Sequence, residues 1–270
     1  MRAIQSAKSS IHLQIYGLTD LDLIALLAKR QADGLDVQIF YDKRASSHLP
    51  LLAYPIKSSG LMHRKILVID GKQVFVGTAN CTPQSLKMHD NLVLGLNSCP
   101  LAEFFEKSIE SSQVFTIEGR PLTAHLLPDF KGEALPDLCN QIDQSKKSIK
   151  IAMFTLTHPQ IVERLIAAKK RGIAITVAID RYTALGASKK SIQQLDSAGI
   201  TILTSQGSQL LHHKWALIDD STFILGSANW TGAAFEKNQD CLLILEDLEP
   251  GHQKTLAKIW KAVAKPAKKG

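Results

Sequence analysis

The sequence predicts an α/β fold made of two pseudo-symmetric β-α-β repeats, each with a mixed sheet flanked by helices. Three observations carry that prediction: a composition able to build a core, a segment that recurs 138 residues later, and the same order of elements after each copy. With 270 residues, 45% hydrophobic and 21% charged, the chain has material for one large core or two modest ones. That balance excludes a disordered, collagen-like or coiled-coil chain.

The recurring segment is Ser10-Ile11-His12-Leu13-Gln14-Ile15-Tyr16-Gly17-Leu18-Thr19, matched by Ser148-Ile149-Lys150-Ile151-Ala152-Met153-Phe154-Thr155-Leu156-Thr157. Each copy reads as a strand and leads into a helix-patterned stretch, Leu21 to Asp33 before Gly34 and Pro159 to Arg171 before Gly172. In the second, Ile161, Val162, Leu165 and Ile166 share one helical face, and Pro159 suits a first turn. A second strand follows each helix, Val37 to Asp42 and Ile173 to Asp180, which argues for parallel strands covered by helices. Three more strands are expected in each half, at 63–69, 73–77 and 91–96 and at 213–218, 222–226 and 240–246, with turns at Asp70-Gly71 and Asp219-Asp220. The second half also carries an extra helix near 189–198 and a strand near 200–204, where the first has the shorter stretch Ser46 to Gly60. A strand at 122–127 and a helix at 132–145 precede the second repeat, whereas the first begins inside the corresponding helix, at Arg2-Ala3-Ile4. The asymmetry implies a missing N-terminal strand, trimmed from a longer protein. The repeats are assigned to residues 1–118 and 119–270, with the site at their junction.

Charge does not choose a partner. Of the net +7, six lysines (Lys254, Lys258, Lys261, Lys265, Lys268, Lys269) fall in the acid-free stretch 251–270, and the remainder has 26 basic against 25 acidic residues. The basic tail suits contact with nucleic acid or an anionic membrane, or is a solvated helix end. No apolar run reaches the roughly 18–20 residues needed to span a bilayer, and the start does not read as a signal peptide. The chain reads as soluble, with a cytoplasmic or an exported location both open. Cys81, Cys99, Cys139 and Cys241 are widely spaced and read as separate buried thiols, without a Cys/His cluster at zinc spacing.

The halves agree most sharply at polar positions. From His63 and from His212, lysine stands at +2 (Lys65, Lys214), aspartate at +7 (Asp70, Asp219), glycine at +14 (Gly77, Gly226), a hydroxyl at +15 (Thr78, Ser227) and asparagine at +17 (Asn80, Asn229). Positions i and i+2 of a strand face one way, so each histidine stands beside its own lysine. A two-fold repeat then brings two imidazoles, two ammonium groups and two amides around one phosphodiester-sized volume. Lysine supplies charge and three donors for phosphate oxygens; Asn80, Asn229, Thr78 and Ser227 add directional donors. Such donors stabilise charge in a five-coordinate transition state. Asp70 and Asp219 are read as braces of the turns, and Gly77 and Gly226 as structural.

This doubled H-x-K-x4-D-x6-G-x-x-N pattern resembles the phospholipase D superfamily and spans the whole chain. The resemblance implies the phospholipase D-like fold and a metal-independent, cofactor-free displacement through a covalent phosphohistidine. It also implies that one histidine attacks phosphorus while the other protonates the leaving oxygen and then activates water or an alcohol. Relatives with two repeats generally attack with the first, which makes His63 the nucleophile and His212 the acid. The family also has an acid beyond the asparagine that holds the ring's second nitrogen. Asp240 matches it, and so does Asp90 with one residue less between. His213, facing away from Lys214, and His89 are read as non-functional. Tyr16 and Phe154 are read as core, and Trp215 and Trp230 either border the cleft or pack beneath it.

The resulting expectation is a phosphodiester hydrolase, with phospholipid the preferred substrate. A nuclease is the alternative: Gly226 to Thr231 with Asn238-Gln239-Asp240 resembles the compact bacterial nucleases and mitochondrial relatives of the superfamily. Those carry one motif and dimerise, whereas two motifs here complete the site in a monomer. A nuclease should show a basic groove and steep salt dependence, and a lipase an apolar rim and activation at vesicle surfaces. A catalytically silent phosphate-, nucleic-acid- or membrane-binding module is the reading of a different class.

Overall fold

A computed structural model describes residues 1–46 and 49–264. The first lobe runs α1 (Arg2–Ser6), β1 (Ser10–Ile15), α2 (Leu21–Ala32), β2 (Asp36–Asp42), β3 (Tyr54–Ile56), β4 (Lys65–Ile69), β5 (Gln73–Gly77), α3 (Pro83–Lys87), β6 (Val93–Asn97) and α4 (Cys99–Lys107). The second opens with β7 (Ser112–Ile117), β8 (Arg120–Leu126), α5 (Ala134–Asp143), β9 (Ser148–Met153), α6 (Pro159–Lys170) and β10 (Ala174–Ile179). It continues with α7 (Arg181–Leu185), α8 (Lys189–Ser197), β11 (Thr201–Thr204), β12 (Lys214–Ile218), β13 (Thr222–Gly226), α9 (Gly232–Glu236), β14 (Cys241–Leu245) and α10 (Pro250–Val263). Lys265, Lys268 and Lys269 of the basic tail lie outside the described residues.

The repeat read from the sequence is a repeat of topology. The first sheet is ordered β3-β2-β1-β4-β5-β6, and the second β11-β10-β9-β12-β13-β14-β8-β7, so six strands correspond one for one. β1 runs parallel to β2, with Ser10 opposite Asp36, and β9 parallel to β10, with Ser148 opposite Ala174. β4 and β12 pair antiparallel to β1 and β9. The crossover helices form where expected. Asp20 caps α2 by accepting from Leu23 N at 3.0 Å, and Leu23, Ile24 and Leu27 turn inward. In α6, Pro159 opens the helix and Ile161, Val162, Leu165 and Ala168 are buried. Gly34 and Gly172 follow at positive φ, a backbone region open to glycine without a Cβ clash.

The lobes differ at one edge. β14 is covered by the antiparallel β8, whereas β6 ends its sheet. The division drawn at residue 118 needs correction: β7, residues 112–117, pairs along its whole length with β8 and so belongs to the second sheet. The chain changes sheets between α4 and β7. The four thiols are all free, but they are not all buried, since Cys99 is exposed and Cys81 half-buried.

Candidate active site

The two motif aspartates anchor the far ends of the site strands. Asp70 accepts from the amides of Lys8, Ser9 and Ser10, at the start of β1. Asp219 accepts from Lys146, Lys147 and Ser148, at the start of β9. Both adopt φ 53°, consistent with turn braces. The motif glycines have a separate reason. A Cβ on Gly77 would overlap the Leu92 carbonyl oxygen, and one on Gly226 that of Cys241. Both let the neighbouring strand close over the end of the hairpin.

The histidines are set by backbone bonds that cross between lobes. His63 N donates to Gln239 O (2.7 Å) and Gln239 N to Leu61 O (2.8 Å). Reciprocally, His212 N donates to Asp90 O (2.9 Å) and Asp90 N to Leu210 O (2.9 Å). Each histidine is therefore paired with the segment that precedes the last shared strand of the other lobe. That crossing brings Asp240 Oδ1 to 2.8 Å from His63 Nδ1 and Asn91 Oδ1 to 3.0 Å from His212 Nδ1.

Asp90 is thus not the ring-holding residue; its exposed side chain makes no such contact, and its backbone does the positioning. Asn91 holds the ring. His63 to Asn91 and His212 to Asp240 both span 28 residues, a signal that a search restricted to acids passes over. Asn91 is oriented by its own donors, because Nδ2 gives to Ser85 O (2.9 Å) and His89 O (3.2 Å). Its Oδ1 must therefore accept, which places a proton on His212 Nδ1 and leaves Nε2 to face the cleft.

Thr78 and Ser227 also need correction. Both are fully buried: Thr78 Oγ1 donates to Asn91 Oδ1 (3.0 Å) and Ser227 Oγ to Asp240 Oδ1 (2.6 Å). They brace the ring-holding residues rather than face phosphate. Asn80 and Asn229 match across the lobes in a different way. Each has a buried Oδ1 without a partner, and among the described residues no protein acceptor engages either Nδ2.

Lys65 Nζ donates to His63 O (2.7 Å) and Lys214 Nζ to His212 O (2.9 Å), leaving further protons on each ammonium for a bound anion. Both lysines are buried. Burial pushes Lys65 down to about 8 against the pull of Asp240, and burial together with Lys65 pushes Lys214 well down. Tyr16 and Phe154 are not core residues but the walls of the site. Their rings meet His63 and His212 edge-on at 5.2 and 5.0 Å, and the ammonium groups of Lys65 and Lys214 lie 5.4 and 5.1 Å from the same rings. Trp215 and Trp230 pack beneath, both buried.

Burial and then Lys65 lower His63 against the opposing Asp240. Burial, with Lys214, Lys65, His63 and His89 behind it, holds His212 well below its ordinary value. Burial raises the Asp240 carboxyl, but His63 and Lys65 outweigh it and hold the group ionised. His89 is half-buried, its ring 6.3 Å from His212, so it belongs to the surroundings of the site rather than to open surface. His213 is buried beside Trp215 and pushed to about 4 by burial. Arg64, between the motif histidine and lysine, carries no sequence signal of a role; buried, it donates to Glu110 (3.0 Å) and Gln14 (3.2 Å) and ties the first sheet to the loop before β7. Among the described residues no cluster of three or more His, Cys, Asp or Glu is arranged to hold a metal.

A histidine, a lysine and an asparagine from each half of a duplicated α/β chain, with the histidines bonded across to the opposite lobe, mark a class of bilobal, two-motif proteins. Residues 1–112 and 138–262 match the family described as cardiolipin synthase, PLD-like domain, and the chain belongs to the phospholipase D superfamily. It is 30% identical over 131 residues to a mitochondrial cardiolipin hydrolase of Xenopus laevis, covering 47% of this chain and 61% of that protein. It is also 30% identical over 112 residues to a phospholipase D of Rickettsia conorii, covering 42% and 56%. The chain thus spans about three fifths of the length of these relatives. A phosphatidylserine synthase structure from Haemophilus influenzae superposes with TM-score 0.72 over 96% of this chain and 81% of that one, at 15% identity, which shows a shared fold.

Proposed function

We propose that the cleft hydrolyses phosphodiesters without a metal, through a phosphohistidine at His63, and that its substrates are phospholipids. The observation carrying the reading is the unequal pair of ring partners, a buried carboxylate behind His63 and a neutral amide behind His212. His63 Nε2 forms a bond to phosphorus while the bond from phosphorus to the leaving oxygen breaks. The phosphorylated ring, still protonated at Nδ1, is cationic, and Asp240 lies in place to neutralise it. His212, which takes a second proton at Nε2 as the substrate phosphate offsets the charge of the lysines, passes that proton to the departing oxygen. Without a counter-charge, and beside two lysines, its imidazolium gives up that proton readily. Neutral His212 then takes a proton from water as the water oxygen bonds to phosphorus and the P–N bond breaks. Lys65, Lys214 and the unspent amide donors of Asn80 and Asn229 hold the phosphoryl oxygens throughout.

The substrate class draws support from the relatives, which are named for cardiolipin and phospholipid cleavage. The test is hydrolysis of phosphatidylcholine/cardiolipin vesicles and of single-stranded DNA and RNA, all in EDTA. EDTA-resistant lipid cleavage, abolished in His63→Ala and His212→Ala, is the expected result. Cleavage of nucleic acid alone would transfer the mechanism to a nuclease, and turnover surviving both substitutions would refute the site.

A further inference from the structure

Five large apolar side chains are exposed on segments tied to the site, one of them, Tyr182, stacked under the Arg181 guanidinium at 4.5 Å. Phe130 is 81% exposed, Leu185 78%, Ile109 64%, Met88 51% and Tyr182 48%. Each stands on a short segment fastened to the site. Met88 precedes His89, whose ring faces His212. Ile109 lies between Ser108 and Glu110, both of which accept from Arg64 beside His63. Phe130 is in the loop after β8, where Leu127 N donates to the carbonyl of Asp240. Tyr182 and Leu185 belong to α7. Asp180 caps that helix through Tyr182 N (2.9 Å) and also accepts from Leu211 N (3.0 Å), next to His212.

These segments are held firmly. The Asp129 carboxylate accepts from the amides of Lys131, Glu133 and Ala134 and from Ser112 Oγ, so the Phe130 loop is a clamped turn. α7 is bonded back to the Phe154 carbonyl through Thr183 Oγ1. A clamped turn holds the Phe130 ring out in water, so insertion of that ring into an apolar phase needs no rearrangement of the loop.

The neighbours of these residues give the partner's chemistry. Lys87 precedes Met88, Lys131 follows Phe130, and Arg181 precedes Tyr182, so three of the apolar residues are each coupled to a cation in the chain. Apolar residues that insert and cations that stay at headgroup level make up the pattern of an interfacial anchor. Leu185, Ile109 and Met88 offer a nucleic acid neither stacking nor hydrogen bonds, which leaves only Phe130 and Tyr182 as stacking faces among the five, and Asp90, next to His89, is an exposed acid.

We propose that the rim of the cleft is a docking face for an anionic phospholipid bilayer, seating the scissile bond at the membrane surface. This rests on the phospholipid reading of the same site. Among the described residues no helix is long and apolar enough to cross a membrane.

The test uses the full chain, with sedimentation on phosphatidylcholine vesicles with and without cardiolipin and, separately, turnover of soluble bis(4-nitrophenyl) phosphate. Phe130→Ser with Leu185→Ser removes exposed side chains, so folding should be kept, and circular dichroism verifies it. Vesicle partitioning is expected to fall about tenfold per residue replaced, while turnover of the soluble diester is unchanged. Lys131→Glu with Arg181→Glu should weaken binding to cardiolipin-containing vesicles and leave neutral ones unaffected. Partitioning that does not respond to the serine pair would overturn the docking face. So would the same variants losing affinity for a single-stranded oligonucleotide instead. If wild-type protein binds vesicles but does not turn over the soluble diester, the catalytic reading fails while the docking face stands.

Discussion

The two lobes present the same histidine, lysine and asparagine to one cleft, but they surround them unequally. Behind His63 lies a fully buried carboxylate; behind His212 lies an amide fixed by its own donors. The second lobe seals its last shared strand with β8, while the first leaves β6 at the sheet edge. Duplication thus supplies the matched parts of the site, and the lobes diverge at the residue that bonds the histidine ring, Asp240 for one and Asn91 for the other. In the proposed mechanism, a charged ring partner suits the histidine that would become cationic on phosphorylation. A neutral one suits the histidine that must let its proton go.

The largest effects should come from breaking that inequality. Asp240→Asn leaves the ring hydrogen bond possible but removes the buried charge, and activity should fall on the order of 10²- to 10⁴-fold, read as kcat on a phospholipid or soluble diester. Asn91→Asp works the other way. A carboxylate at His212 Nδ1 stabilises its imidazolium, so the alkaline limb of the kcat/KM profile should move up by about one pH unit or more. An unmoved profile would mean that Asn91 only packs.

The glycines sharpen the comparison through stability. Gly226→Ala drives a methyl group into the Cys241 carbonyl, on a strand locked between β13 and β8, and should cost roughly 3 kcal/mol in denaturant unfolding. Gly77→Ala meets the equivalent Leu92 carbonyl beside an edge strand that can yield, so its cost should be smaller, about 1–2 kcal/mol. Equal costs would show that the sheet edge does not matter.

Two pH effects are smaller still. Burial holds His12 and His213 at about 4, below the 6.5 of an unfolded chain. As pH falls from 6.5 toward 4 the unfolded state takes protons that the folded state refuses, so stability is lost across that window. Melting temperature at pH 7 and pH 5 measures it. Raising pH through about 8 neutralises Lys65 and should raise KM more than it lowers kcat.

The fold was legible because period and repeat agreed: matching strands, helices ending at glycine and hydrophobic faces recurred in the same order. The boundary at 118 failed because β7 and β8 form a local hairpin whose allegiance is decided by pairing with β14, a contact 115 residues away in register between Leu126 and Cys241. At the site, the histidines, lysines and turn aspartates stand as spacing implies. The ring partners were harder, since each reaches across to the other lobe and one is an amide rather than an acid. Thr78 and Ser227 share the motif's spacing but lie one layer beneath the cleft, and only packing distinguishes a hydroxyl that binds substrate from one that braces. Tyr16 and Phe154 follow strands whose other residues are core, and the structure alone turns them toward the histidines.

Whether His63 is the nucleophile and His212 its proton partner is decided with the His212→Ala protein and bis(4-nitrophenyl) phosphate. The good leaving group makes the acid dispensable in the first step, while the missing base slows the second. A burst of one 4-nitrophenolate per site is expected and, after alkaline quench and digestion, a phosphoryl adduct on the peptide containing His63. Absence of both burst and adduct, or an adduct on His212 in the His63→Ala protein, would contradict these roles.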